Sequence, residues 1–323
     1  MHEFGVDMAA RATRSSVAAS GSSNDDSRCL LLALSHDELG VIFDGLADPL
    51  QPVVAVALSS TCKGLRTPLV LQAVMGTLAK RRLRALALCR KFEMSCEELR
   101  DADALDWEER IDFREEERVT TDDLATLGML LPKSLPRLQR LDLYSNGITN
   151  AGMHALCAGL THGAAPSLTF LAVDGNPFGL AGVEVLAAAL SRGAMPMLDV
   201  LMISDSKIGQ GLIALAAPLR KHPALKELHL CKCDIGDEGV AALVKDLGKD
   251  DFKTLKDLDL SGNEITNAGM VKLVAAINSG AMPMLRYLRI CDNDGVSDGM
   301  LSALATAITV PSEARRVALS HME

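Results

Sequence analysis

The sequence predicts an α/β solenoid with parallel β-strands on a concave face and helices outside, preceded by a small all-α region. Three observations carry that prediction. The first is a pattern that recurs through the second half: Leu138, Leu141, Leu143, Asn146 and Ile148 return as Leu168, Leu171, Val173, Asn176 and Phe178, then as Leu198, Leu201, Ile203, Ser206 and Ile208. Further copies are Leu225, Leu228, Leu230, Cys233 and Ile235, then Leu255, Leu258, Leu260, Asn263 and Ile265, then Leu285, Leu288, Ile290 and Asn293, with starts 30, 30, 27, 30 and 30 residues apart. The second is a change of period inside each copy. Apolar residues two apart suit a strand, and a glycine then opens a helical stretch, as in Gly152, Leu156, Leu160 and Gly269, Leu273, Ile277. A unit this short buries its apolar side only against its neighbours, so a fixed period means stacking. The third is that residues before about 107 show helical spacing and no such strand pattern.

Along the chain, residues 1–28 are rich in Ala and Ser and poor in large apolar side chains, the composition of a disordered tail. From residue 29 to 68, Leu34, Leu39, Ile42, Phe43 and Leu46 recur at helical intervals until Asp48-Pro49 and Pro52 interrupt them. Residues 69–107 read as a helical linker or cap, with Ser95 and Glu98 spaced as a capping box for a short helix. Its basic stretch Lys80–Lys91 reads as a solvated helix face opposite Leu78, Leu83, Leu86 and Leu88. Residues 108–323 hold about six or seven repeats. Arg110–Phe113, with Val119, Leu124, Leu127 and Leu131 behind it, reads as a degenerate first copy whose acidic edge is Glu115–Glu117, and Arg316–Leu319 as a terminal strand.

Composition excludes several functions. The net charge is −9, and only 10 of 323 residues are aromatic, which argues against nucleic-acid binding by bulk charge or base stacking. The longest apolar runs, Cys29–Leu34 and Val53–Leu58, are about six residues against the ~18 a bilayer needs. The first residues lack a secretory apolar core, and the eight cysteines show no disulfide framework, so thiols in a cytoplasmic or nuclear protein are expected. Phosphate-cradling loops, His-Glu-x-x-His helices and nucleophile elbows are missing from the sequence, and no carboxylate pair can be singled out as acid and base. The reading is therefore not of an enzyme, and no metal or other cofactor is expected.

The repeated block resembles the leucine-rich repeat in its longer strand-plus-helix form, similar to that of ribonuclease inhibitor. The resemblance implies a horseshoe with a protein-binding inner face, and an Asn or Cys whose side chain bonds the loop backbone of adjacent coils. Upstream, Leu34-Ser-His-Asp37, Ile42-Phe43, Leu46, Asp48-Pro49 and Leu58-x-x-x-Cys62-Lys63 resemble the F-box, with Ser35 where that motif usually has Pro and Asp37 where it usually has Glu. This second resemblance implies that Leu34, Leu39, Ile42, Phe43 and Leu46 dock on a Skp-type adaptor. The protein would then be a substrate receptor of an SCF-type cullin-RING ubiquitin ligase. Two alternatives stand beside it: a general repeat scaffold with a helical N-terminal cap, and a regulator of a small GTPase similar to the Ran GTPase-activating proteins, for which no Arg here matches the family motif.

Register gives the residues that project from the strands: Arg140, Asp142 and Tyr144; Phe170, Ala172 and Asp174; Val200, Met202 and Ser204; Glu227, His229 and Cys231; Asp257, Asp259 and Ser261; Tyr287, Arg289 and Cys291. Phe170, Val200 and Met202 are apolar where solvent is expected, and with Tyr144, Tyr287 and the two arginines they are the anchors of a predicted protein interface. Seven or eight strands at ~4.8 Å span roughly 35 Å, enough for a standard partner. The string His229-Leu-Cys231-Lys-Cys233 looks metal-like, but the register turns Cys233 into the coil and leaves two ligands on one strand, a poor zinc site.

Overall fold

A computed structural model describes residues 48–50, 68–106, 119–248 and 251–308, and divides the chain into two units at Glu97–Glu98. The expected tail, the adaptor-docking residues Leu34, Leu39, Ile42, Phe43 and Leu46, and the segments Arg110–Phe113, Glu115–Glu117 and Arg316–Leu319 lie outside the described residues.

In the first unit, helix α1 (Pro68–Lys91) buries Leu78, Ala85, Leu88 and Cys89. That set lies within one stripe at 100° per residue, and Leu83, five residues past Leu78, falls off it. Leu83 is accordingly 67% exposed, which corrects its expected place on the buried side, and Leu86 is only half-buried. Among the bases, Lys80, Arg84 and Arg90 are exposed, whereas Arg82 donates to the Pro49 carbonyl at 3.2 Å. Helix α2 (Cys96–Asp101), which runs through the division at Glu97–Glu98, begins one residue after Ser95, where its cap was expected.

The second unit alternates strand and helix. Strand β1 (Ala104–Asp106) is followed by α3 (Thr121–Leu130), β2 (Arg140–Asp142), α4 (Asn150–Ala158), β3 (Phe170–Ala172) and α5 (Leu180–Ser191). Then come β4 (Val200–Met202), α6 (Gly211–Lys221), β5 (Glu227–His229), α7 (Gly236–Val244), β6 (Asp257–Asp259), α8 (Asn267–Asn278), β7 (Tyr287–Arg289) and α9 (Asp298–Ile308). The strands form one parallel sheet in chain order, with Leu105, Leu141, Leu171, Leu201, Leu228, Leu258 and Leu288 stacked in register. All seven are buried, each contributing about 1.5–3 kcal/mol on transfer from water. The sheet opens earlier than the degenerate first copy at Arg110–Phe113 suggested. Only Leu105 of β1 matches the repeat's apolar triplet, and it precedes Leu141 by 36 residues rather than 30, which hides the strand from a periodicity search.

The coils of β2–β7 each turn just past the strand through a left-handed residue, Ser145, Gly175, Asp205, Lys232, Gly262 or Asp292, with φ between 53° and 67°, and some add others, such as Gly147, Asp234 and Glu264. The N–H of each of the first five donates to the next coil, as Ser145 does to the Asp174 carbonyl at 3.0 Å. Buried side chains one position on lock the turns together. Asn176 Oδ1 accepts from Asn146 and Ile148 N–H at 3.0 and 2.9 Å, while its Nδ2 donates to Leu143 O at 2.9 Å. Asn263 and Asn293 repeat the arrangement, and Cys233 keeps thiol contacts alone, 3.4 Å from Ile203 O and from Cys231 O.

A second set of links ties the helix N-termini. Asn150 Oδ1 accepts from Gly179 and Gly182 N–H at 2.9 Å each, and Asp237 Oδ1 accepts from Thr266 and Gly269 N–H at 2.8 and 2.9 Å. These bonds supply partners for the orphan amides of the following helix. The glycine is needed there, since a Cβ at Gly269 would sit 2.3 Å from Asp237 Oδ1. Helix α3 is capped locally by Thr120 and Asp123 in a reciprocal box. It approaches α4 closely enough that a Cβ on Gly128 would fall 2.3 Å from Leu156 O.

Candidate functional site

Because the strands are in register, their outward side chains line up in rows. One row runs Ala104, Arg140, Phe170, Val200, Glu227, Asp257, Tyr287, and the next runs Asp106, Asp142, Ala172, Met202, His229, Asp259, Arg289. A third, just past the strands, holds Tyr144, Asp174, Ser204, Cys231, Ser261 and Cys291. The structure therefore places the expected face residues at aligned positions along one side of the sheet.

The face has two halves of different character. Towards β2–β4, Arg140 lies 3.7 Å from the centroid of the Phe170 ring and bonds Asp142 at 2.6 Å. Beyond it, Phe170, Val200 and Met202 are half-buried and carry no charge. Towards β5–β7 the face is acidic. Arg289 reaches back to Asp257 at 2.8 Å and to Asp259 at 3.5 Å, and His229 Nε2 lies 3.7 Å from Glu227 Oε2. Burial pushes the Asp257 carboxyl above the usual carboxylate range; Arg289 and His229 pull it back, and Glu227 and Asp259 push with burial. Burial likewise raises the Cys231 thiol, and Asp259 and Asp205 add to the effect.

Several residues expected to face solvent are covered. Asp142, Asp174, Asp257, Ser261 and Ala172 are buried, whereas Tyr287 is 46% exposed and Glu227 keeps a 47% exposed side chain. The reason is reach: Arg140 folds along its own strand onto Asp142, and Arg289 crosses the ~4.8 Å between strands to lie over Asp257. Asp142 and Asp257 thus position arginines rather than presenting carboxylates. Sequence reading did not find the Arg140–Phe170 stack or the Arg289 clamp, because both join residues about 30 apart in the chain. The only available signal was the repeat register that makes those positions neighbours.

Cys233 points into the coil as expected, with its Sγ 3.4 Å from the carbonyls of Ile203 and Cys231. Among the described residues no three His, Cys, Asp or Glu side chains gather in a group that could hold a metal ion. None of the described helices is long and apolar enough to cross a membrane. On the helical side, an open cleft of about 650 Å³ between α6, α7 and α8 is lined by Ile213, Lys245, Lys272 and several alanines. It pairs no nucleophile with a base.

The family profile described as Leucine Rich repeat matches residues 135–157, 221–244 and 253–274, the coils of β2, β5 and β6. The coils of β3 and β4 between them pair in the same register. No curated protein matches this chain. The second unit is a solenoid of leucine-rich repeats, an architecture that serves as a protein-interaction module.

Proposed function

We propose that this leucine-rich-repeat chain is a non-catalytic recognition subunit of a cytoplasmic or nuclear SCF-type cullin-RING ubiquitin ligase. The strand face holds a protein target, and residues 29–68 dock on a Skp-type adaptor through Leu34, Leu39, Ile42, Phe43 and Leu46. The observation that carries the target half is the uncharged strip of Phe170, Val200 and Met202 on a rigid sheet face, beside acidic side chains that set specificity. The adaptor half rests on the F-box-like spacing of the upstream apolar residues. The chain performs no bond-making step in this reading. It raises the effective concentration of target at the ligase by holding both.

The test is co-purification of the full chain with the Skp-type adaptor of its own organism, alongside Ile42→Ala, Phe43→Ala and Met202→Glu variants whose folding is checked by circular dichroism. The first two lose the adaptor at least tenfold while folded, and Met202→Glu retains it. Failure of the wild type to bind overturns the adaptor half. A second reading, a scaffold whose N-terminal helices only cap the solenoid, is favoured by the position of the family matches, which all fall between residues 135 and 274. In that case Phe43→Ala lowers solubility rather than adaptor binding.

A further inference from the structure

We propose that the strand face takes an extended protein segment in which a bulky apolar residue lies over Phe170, Val200 and Met202, and a Lys or Arg about three positions away meets Asp259 and the neighbouring Glu227. This deepens the reading of the face as a protein-binding surface and rests on it.

The partner's chemistry follows from complementarity of the two halves. Between β4 and β5 the rows change from Val200 and Met202 to Glu227 and His229, so apolar and acidic zones adjoin with no Lys or Arg of the rows between them. On the acidic side, Arg289 is the cation of the strand rows from β4 onward, and it is already engaged by both Asp257 and Asp259. Asp257, only 12% exposed beneath Arg289, adds its charge to the field without being a contact itself. The turns after β4–β7 extend the negative field with Asp205, Asp234, Glu264, Asp292 and Asp294 against Lys207 and Lys232. A cation added here gains attraction from several carboxylates at once, and these outnumber Arg289 and the two turn lysines that an anion would meet.

The spacing comes from the sheet. Val200–Met202 and Asp257–Asp259 stand two strands apart, about 9.6 Å at ~4.8 Å per step. A segment crossing the strands in extended form covers that with about three residues at ~3.4 Å each. A helix, rising ~1.5 Å per residue, would need six or seven. The face thus distinguishes the two by the interval between the apolar and the basic residue.

The experiment presents the full chain with an oriented library of ten-residue peptides carrying fixed Leu or Phe, with Lys at every interval from one to seven, followed by fluorescence polarisation on the selected sequences. Selection of Lys at an interval of three is expected, with at least tenfold weaker binding when Glu replaces that Lys. The double variant Glu227→Lys, Asp259→Lys is expected to reverse the preference towards Glu. Should that variant fail to fold, Glu227→Gln alone, at a half-exposed side chain, is expected to weaken binding about threefold. No selection, or selection of an acidic or longer-interval motif, overturns the inference. If such a different motif is still abolished by Met202→Glu, the protein-binding reading of the face stands without it. Peptide binding insensitive to both Met202→Glu and Glu227→Gln overturns both.

Discussion

Asn263→Ala and Cys233→Ala place the same small side chain at equivalent, fully buried positions of neighbouring coils, and the structure assigns them different costs. Asn263 Oδ1 accepts from Cys233 N–H at 2.8 Å and Ile235 N–H at 3.4 Å, and its Nδ2 donates to Leu230 O at 2.6 Å and Ser261 O at 3.0 Å. Alanine leaves those amides and carbonyls without a partner in a dry turn. At about 1 kcal/mol net for each well-formed bond, with more where a donor is orphaned, the loss is about 3–5 kcal/mol. Cys233 offers one weak thiol donor, 3.4 Å from either Ile203 O or Cys231 O, so Cys233→Ala removes a sulfur's worth of packing and costs about 1 kcal/mol. Urea unfolding of the full chain, followed by far-ultraviolet circular dichroism, measures both. Losses equal to within about 0.5 kcal/mol would refute the claim that hydrogen bonding rather than burial makes the ladder stabilising.

Three further outcomes are expected. Asp237→Ala is expected to cost about 1–2 kcal/mol by removing the link to Thr266 and Gly269, and Asp237→Asn much less, since Asn150 makes the equivalent bonds; equal melting losses would contradict this. Burial raises the Asp237 carboxyl, but bonds from Thr266 and Gly269 outweigh it and the net shift is downward, so its contribution is present above the ordinary carboxylate pKa and is lost on acidification through the lowered value. His222 is buried, with Nδ1 accepting from Ala224 N–H at 3.4 Å and Nε2 donating to Met195 O at 3.0 Å. Burial lowers its pKa against the pull of that carbonyl, so the folded form disfavours the proton. Stability is complete above about pH 6.5 and falls as pH drops through the folded value, and the melting temperature of His222→Gln between pH 7 and 5 should fall less than that of the wild type. Cys89 and Cys96 hold their sulfurs 3.6 Å apart, and burial together with Cys96 pushes the Cys89 thiol up to about 12. Diamide, which takes two protons and two electrons, is expected to join them slowly, adding first at half-buried Cys96 before Cys89 displaces the hydrazine. Non-reducing mass spectrometry reads the linked peptide, and two free, alkylatable thiols after treatment would contradict the geometry.

The repeat coils were legible because each carries the same short code. Leu141 and Leu143, two apart, can both turn inward only in a strand, and Asn146 follows at the spacing that puts an amide inside the turn. The shorter coil from Leu198 was legible too, since its deletion falls between α6 and β5 and leaves the register of Leu201 and Leu228 intact. Strand β1 was not, because an end coil has a neighbour on one side only and keeps a single leucine of the triplet. On α1 the error at Leu83 arose from counting leucines rather than angles. Buried Ala85 and Cys89 are smaller than the leucine that stays outside.

For the strand face, the sequence by itself determined which residues stand in which row, since a fixed period and a two-residue alternation leave no freedom of register. It determined as well that apolar side chains at Phe170, Val200 and Met202 meet acidic ones at Glu227, Asp257 and Asp259. Which of those side chains remain available was decided only by the tertiary structure. Exposure depends on the length and direction of neighbouring side chains, within one strand where Arg140 covers Asp142, and across coils ~4.8 Å apart and some 30 residues distant where Arg140 stacks on Phe170 and Arg289 closes over Asp257 and Asp259. Period fixes position along a repeat, but accessibility depends as well on contacts between repeats, which no single repeat encodes.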